Sequence, residues 1–128
     1  MHAHEGGIRA QVTYDDGHQG APGFVHGGAI STTFDDVLGT VPAALGRAAV
    51  TGNLSVDFRS PAFIGRTFDV EARVVSIDGR KLRIAGTMRE GDRLIAEAQA
   101  LFIEVPVSHW DAGGRMEEFL PHLRPREA

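Results

Sequence analysis

Only one stretch of this sequence carries the spacing of a large buried helix. Ile30, Phe34, Val37, Leu38, Val41 and Leu45 recur at three- and four-residue intervals over residues 29–45, the apolar stripe of a helix with one face turned to a core. After Ala49 the apolar residues recur with a period of two instead. A chain with one large apolar helix and several half-buried strands has few ways to cover that helix, and wrapping the strands around it is the simplest. The expected fold class is therefore α+β, an antiparallel sheet around a long central helix.

Before the helix, Ile8, Ala10, Val12 and Tyr14 line one side of a short strand, and the polar segment from Asp15 to Gly23 is a loop. Gly39 and Pro42 are expected to end or kink the helix, because proline has no N–H to return to the preceding turn. A short turn from Pro42 to Leu45 would follow, with proline first. Leu54, Val56 and Phe58 alternate with Ser55, Asp57 and Arg59 until Ser60-Pro61 interrupts. Phe68, Val70, Ala72 and Val74 mark a further strand that ends at the hairpin signal Asp78-Gly79. Leu82, Ile84, Gly86 and Met88 come next, then a turn at Glu90-Gly91-Asp92. The last strand, Leu94 to Val105, sets Ala96, Ala98 and Ala100 on one face and Ile95, Leu101 and Ile103 on the other. A row of alanines leaves room for something large, and the helix is the one candidate. Residues 1–128 read as a single domain without internal repeats, with a core from about 8 to 105 and a C-terminal tail over 106–128. In that tail Arg115 to Leu120 is helix-like, and Trp110, Phe119 and Leu120 are candidates to dock on the body.

Chemistry concentrates just before the helix. In Gly23-Phe24-Val25-His26-Gly27-Gly28, three glycines within six residues allow a tight turn and a close approach to a ligand. Such a turn feeding a helix leaves backbone N–H groups unpaired at the positive end of the helix dipole. That end can receive an anion, or an oxygen that becomes one during reaction. Asp35 follows nine residues after His26, on the same helix. Its neighbour Asp36 sits further from the apolar stripe and is expected to be exposed or to cap a neighbour.

Composition narrows the classes. A net charge of −4 argues against nucleic acid or an anionic membrane as the main partner. No cysteine is present, which removes disulfide and thiolate chemistry and suits a reducing cytoplasm. The start, Met1-His2-Ala3-His4-Glu5, lacks a signal-peptide pattern, and no uncharged apolar run is long enough to cross a bilayer. A cytoplasmic protein is expected, with no membrane and no nucleic acid. His2 and His4 resemble a metal pair on a loose end, while His18, His109 and His122 have no partners at ligand spacing, so no metal is expected. Ser31, Thr32 and Thr33 lack the Gly-x-Ser-x-Gly elbow of a serine hydrolase.

The turn with its His-Gly-Gly, the step to Asp35, and the later strand Val56-Asp57-Phe58-Arg59-Ser60-Pro61 together resemble the hotdog-fold acyl-CoA thioesterases of the PaaI-like group. The resemblance covers roughly residues 8 to 105. It implies a sheet wrapped on a central helix, assembly as a homodimer or homotetramer, an acyl- or aryl-CoA substrate, and no cofactor. It also implies Asp35 as general base or nucleophile, the Gly27 N–H as donor to the thioester carbonyl, and His26 orienting the turn or touching substrate. Phe24, Val25 and Gly28 would adjoin the acyl group. Thr51 matches a position that places the attacking water in some relatives. Many relatives carry Asn six residues before the motif histidine, where this chain has Gly20; Gln19 is the neighbouring amide. Arg80 and Lys81, with Arg83, are candidates to grip the phosphates of coenzyme A, against a simple solubilising role at a hairpin. Two alternatives stay in view: a non-catalytic acyl-CoA-binding protein, and a hotdog dehydratase or hydratase, whose Asp-x-x-x-x-His step is missing.

Spacing adds a constraint of its own. Nine helical residues from His26 to Asp35 make two and a half turns, roughly 13 Å of rise, and set the two side chains on nearly opposite faces. Within one chain they can hardly meet over one thioester. A partner chain could bring its own glycine turn to Asp35, so a site shared across a subunit interface is expected.

Overall fold

A computed structural model describes residues 2–4 and 7–106; the expectations for residues 107–128 lie outside them. Six strands and one long helix follow in the order β1 (His2–His4), β2 (Gly7–Thr13), α1 (Gly27–Ala44), β3 (Ala49–Phe58), β4 (Thr67–Asp78), β5 (Lys81–Glu90) and β6 (Arg93–Glu104). All pairings are antiparallel, and the strands lie in one sheet in the order β1-β2-β4-β5-β6-β3. The α+β arrangement expected from the periodicity is present, with α1 packed against β2 to β6. His2–His4, expected as a loose end, forms a strand on β2. No helix among the described residues is long and apolar enough to cross a membrane.

The helix stripe is the core. Ile30, Phe34, Val37, Leu38, Val41 and Pro42 are buried, and facing them are Phe68, Val70 and Ala72 of β4, Leu82, Ile84 and Met88 of β5, and Ala96, Ala98, Ala100 and Phe102 of β6. Full burial of one such Phe or Leu stabilises by about 1.5–3 kcal/mol. The alanine row lets the helix come close, and Gly86 lets it come closest. A Cβ built there would lie 2.6 Å from Leu38 Cδ1 and 3.2 Å from Phe34 Cδ1.

Neither Gly39 nor Pro42 ends α1, which corrects the expectation from sequence. Pro42 sits in the last turn, so its missing N–H deprives a single carbonyl, that of Leu38, and its ring is buried. The stop comes at Gly46, with φ +74: Gly46 N donates to Ala43 O at 3.0 Å and Arg47 N to Pro42 O at 2.9 Å. That is a glycine-closed Schellman end. The two hairpins fall where expected, each with a two-residue loop, Gly79-Arg80 between Asp78 and Lys81 and Gly91-Asp92 between Glu90 and Arg93.

Gly86→Ala is expected to overpack the helix seat and cost about 1–3 kcal/mol. The readout is a lower urea midpoint at unchanged slope; a wild-type midpoint would contradict the close approach of α1 to β5.

Candidate active site

The loop before α1 is tied to the body at both ends. Asp15 caps a single 3-10 turn at Asp16–His18, and Gly17 N donates to its Oδ1 at 2.9 Å. Gln19 Oε1 accepts the Gly23 N–H at 3.0 Å and closes the loop on itself. Val25 N donates to Ala62 O at 2.9 Å, Ile64 N to Gly23 O at 3.1 Å, and His26 N to His18 O at 2.6 Å. The turn that launches the helix therefore rests on the segment after β3.

Four N–H groups at the start of a helix lack intrahelical partners, and here they can be followed one by one. His26 N donates to His18 O at 2.6 Å and Ala29 N to His26 O at 3.0 Å, while Ile30 N, 3.3 Å from the same oxygen, begins the regular helix ladder. Gly28 N donates to His26 Nδ1 at 2.8 Å. Gly27 N has no acceptor among the described residues. His26 is the cap residue, extended at φ −63 and ψ 135, and its side chain is exposed.

Tyr14 anchors the same end of the helix. Its hydroxyl lies 2.6 Å from Thr33 Oγ1, which itself donates to Ala29 O at 3.0 Å, so the tyrosine is the donor of that pair. Burial pushes the Tyr14 hydroxyl above its ordinary pKa of 10.0; the Thr33 hydroxyl, which can turn to donate to the phenolate, acts the other way and is the smaller effect.

Further along the helix, Thr51 Oγ1 donates to Asp35 Oδ1 at 2.9 Å, leaving Oδ2 without a protein partner among the described residues. Asp36 is exposed. Thr51 reaches the helix because β3 is bulged: Thr51 pairs with Phe102 and Asn53 with Leu101, so Gly52 is the extra residue. Strict alternation from Leu54, Val56 and Phe58 would turn Thr51 away from the helix; the bulge turns it back.

A cleft of about 340 Å³ opens beside the helix start, lined by Phe24, Val25, Ile30, Phe58 and the segment Arg59 to Ala62. Phe24 and Phe58 are 38% and 52% exposed, large for apolar rings, and a Cβ on Gly27 would lie 3.5 Å from Phe58 Cζ. Phe58, Ser60 and Pro61 were not singled out individually from sequence. The available signal was an apolar residue at the very end of a strand, immediately before Ser-Pro.

His26, Gly27, Gly28, Phe24 and Val25 thus gather at one end of β3, near Phe58, while Asp35 and Thr51 stand at the other. Eight helical residues separate Gly27 from Asp35, roughly 12 Å. Gly27 and Asp35 both border β3, one at each end of it. Arg80 and Lys81 are exposed, and Lys81 pairs with Ile103, which pairs with Val50. They lie at Asp35's end of the sheet, about 23 Å along β5 from Met88, whose partner Ala96 also pairs with Phe58. Gln19 braces its loop, and Gly20 lies against His26, where a Cβ would come within 3.2 Å of the histidine Cα. Among the described residues, no three metal-ligating side chains cluster.

Comparison with known proteins bears on this geometry. The family model described as the thioesterase superfamily matches residues 22–97. Acyl-coenzyme A thioesterase THEM4 of Mus musculus is 40% identical over 89 residues, covering 68% of this chain and 38% of that protein. THEM4 of Xenopus laevis is 37% identical over 89 residues, covering 68% of this chain and 40% of that protein. The chain thus spans less than half the length of these curated relatives. A crystal structure described as a thioesterase superfamily protein matches at 34% identity and a TM-score of 0.73, over 77% of this chain and 52% of that one. A Streptococcus mutans protein, solved bound to acetyl CoA, has the same fold at a TM-score of 0.77 and 23% identity, over 82% of this chain and 86% of that one.

For Tyr14, unfolded chains ionise near pH 10.0 and the folded state only above it, so the contribution to stability is whole below that value and falls as pH rises through the window above. Tyr14→Phe is expected to be less stable by about 1 kcal/mol at neutral pH, from the lost hydrogen bond. Its deficit should shrink as pH rises through the range above 10.0. A constant deficit in denaturant titrations across that range would contradict the raised value.

Proposed function

The chain belongs to the thioesterase superfamily, and from that premise we propose that it hydrolyses the thioester of an acyl- or aryl-CoA to the free acid and coenzyme A. One observation carries the reading: the helix start leaves a single N–H open, at Gly27, beside a cleft where Phe24, Val25 and Phe58 meet Arg59 and Ser60. A thioester carbonyl oxygen at that N–H gains a donor that strengthens as negative charge develops, aided by the helix dipole. Asp35 supplies the other half of the chemistry. With Oδ1 held by Thr51, Oδ2 is free to take a proton from water. The hydroxide so formed adds to the carbonyl carbon, the oxyanion collapses, the C–S bond breaks, and the thiolate leaves with the proton returned by Asp35. Direct attack by the Asp35 carboxylate is the variant in which water hydrolyses an anhydride afterwards. The absence of cysteine fits a reducing compartment such as the cytoplasm.

The two halves are too far apart to serve one carbonyl within one chain, and β3 suggests how they meet. It is an edge of the sheet, paired on one side only, by β6, among the described residues. An unpaired edge of this length is a template for a second strand. Antiparallel pairing with β3 of a second copy, in a register that sets Thr51 near Phe58 of the other chain, would bring each Asp35 to the other's Gly27. A two-fold interface repeats the arrangement and makes two sites per dimer. Such a dimer also brings Arg80 and Lys81 of one chain toward the cleft of the other, where coenzyme A phosphates would need cations.

Hydrolysis of short, medium, long and aryl acyl-CoAs tests the reaction. Asp35→Asn should lower kcat roughly 10²-fold or more with little change in KM. Asp36→Asn should stay near wild type. Gly27→Pro, which removes the N–H at a position where helices accept proline, should also lose roughly 10²-fold. Equal amounts of Asp35→Asn and Gly27→Pro, refolded together, should recover roughly a quarter of wild-type activity, since half the dimers then carry one intact site. Recovery of nothing from a protein that scatters light as a dimer would overturn the shared site. Acyl-CoA binding without hydrolysis would make the chain a binding protein.

A further inference from the structure

Resting on the thioesterase reading, the geometry points to His26 as the positioning residue of the oxyanion site, acting through Gly28 and through its ring tautomer rather than on the reacting atoms. The hydrogen bonds of the helix start lead there. His26 accepts two of the four orphan N–H groups, that of Ala29 on its carbonyl and that of Gly28 on Nδ1, and its own N–H goes to His18 O, so its side chain decides which donor is left over. Had the side chain been unable to accept, two neighbouring N–H groups would compete for water or substrate. With it, the open donor is Gly27 alone.

An accepting Nδ1 also fixes the chemistry of the ring. A lone pair on Nδ1 requires the neutral imidazole with its proton on Nε2. Nδ1 is occupied and Nε2 protonated, so this histidine has no basic nitrogen free to take a proton from water. General-base work falls to Asp35, and a protonated His26 would turn a second N–H against that of Gly28 and open the cap.

The glycines around the ring fit this role. A Cβ at Gly28 would stand 2.9 Å from His26 Nδ1 and 3.0 Å from Cε1, closer than real Cβ contacts allow, so the ring can fold over the first turn only if residue 28 has no side chain. A Cβ at Gly20 would meet His26 Cα at 3.2 Å and its Cβ and Cδ2 at 3.5 Å. The His26 N–H is held by His18 O at 2.6 Å. The loop and the helix thus clasp the residue from both sides. The second glycine of the pair makes room for the cap, and the first presents the donor.

The test sets His26→Asn beside His26→Ala. Asparagine is among the best cap residues, because its side-chain oxygen accepts an N–H of the first turn, and alanine cannot. His26→Ala should lower kcat by about tenfold or more while KM stays within about twofold, as expected when transition-state stabilisation alone is lost. His26→Asn should recover to within about threefold of wild type. Long-range 1H–15N spectra of the wild-type protein should show the His26 proton on Nε2, and the Gly28 amide should exchange more slowly in wild type and His26→Asn than in His26→Ala. His26→Asn as slow as His26→Ala, or a proton on Nδ1, in a wild-type protein that hydrolyses acyl-CoA, overturns the inference. A wild-type protein that hydrolyses none, yet shows the Nε2 proton and slow Gly28 exchange, overturns the thioesterase reading instead, and with it any role of the cap in a reaction.

Discussion

Phe34 and Leu38 reach the sheet at Gly86, where a Cβ would stand 2.6 Å from the Leu38 methyl, and Ala96, Ala98 and Ala100 extend that floor into β6. Helix and strands approach as closely as side chains permit. Interiors are packed to crystal-like density, so the position of α1 is set to a fraction of an ångström along this seat. Everything functional in the chain hangs from that placement. The start of the helix, the carboxylate eight residues later, and the strand both of them border are all located by one buried stripe.

A helix seated this way delivers two polar elements to the margin of β3, the Gly27 N–H toward Phe58 and Asp35 toward Thr51. Each is finished locally. The helix start gives two of its four free donors to His26 and one to His18 O, and Asp35 has one oxygen held by the Thr51 hydroxyl. Neither end is complete as a reaction centre, and the helix is too rigid to fold one onto the other. The strand between them is also the one whose outer backbone edge is unpaired among the described residues. In the proposed dimer, a second copy paired on that edge is what brings the two ends together.

Much of this was legible in the residues. The three- and four-residue stripe, the period-two strands, the hairpin glycines and the alanine row are local patterns, and each maps onto an element because helix and strand periodicity are properties of the backbone itself. The turn at Gly23 to Gly28 was visible as a place where backbone could be left open. Asp36, one residue from Asp35, could be set aside by its distance from the stripe, and it is exposed.

Other features came from contacts between distant segments. Pro42 looked like a stop and is not one, because a proline in the last turn orphans only one carbonyl, and the helix closes past it at Gly46, where the N–H groups of Gly46 and Arg47 turn back to Ala43 O and Pro42 O. Gly52 reads as a weak spot in a strand, and only its pairing with β6 makes it the bulge that turns Thr51 toward Asp35. The cleft at Phe58 exists because the loop before the helix is latched to Ala62 and Ile64, forty residues away in the chain. Gly27 and Gly28 are indistinguishable as letters; a ring nitrogen 2.8 Å from one amide separates them. By itself, then, the sequence determined which segments are helix and strand, which face of each is buried, and where an open helix start and a carboxylate would lie, since these follow from backbone periodicity and apolar spacing. Tertiary structure alone decided which N–H stays open, which oxygen of Asp35 is held and how the cleft is lined, because hydrogen bonds and packing between distant residues carry no trace in local spacing.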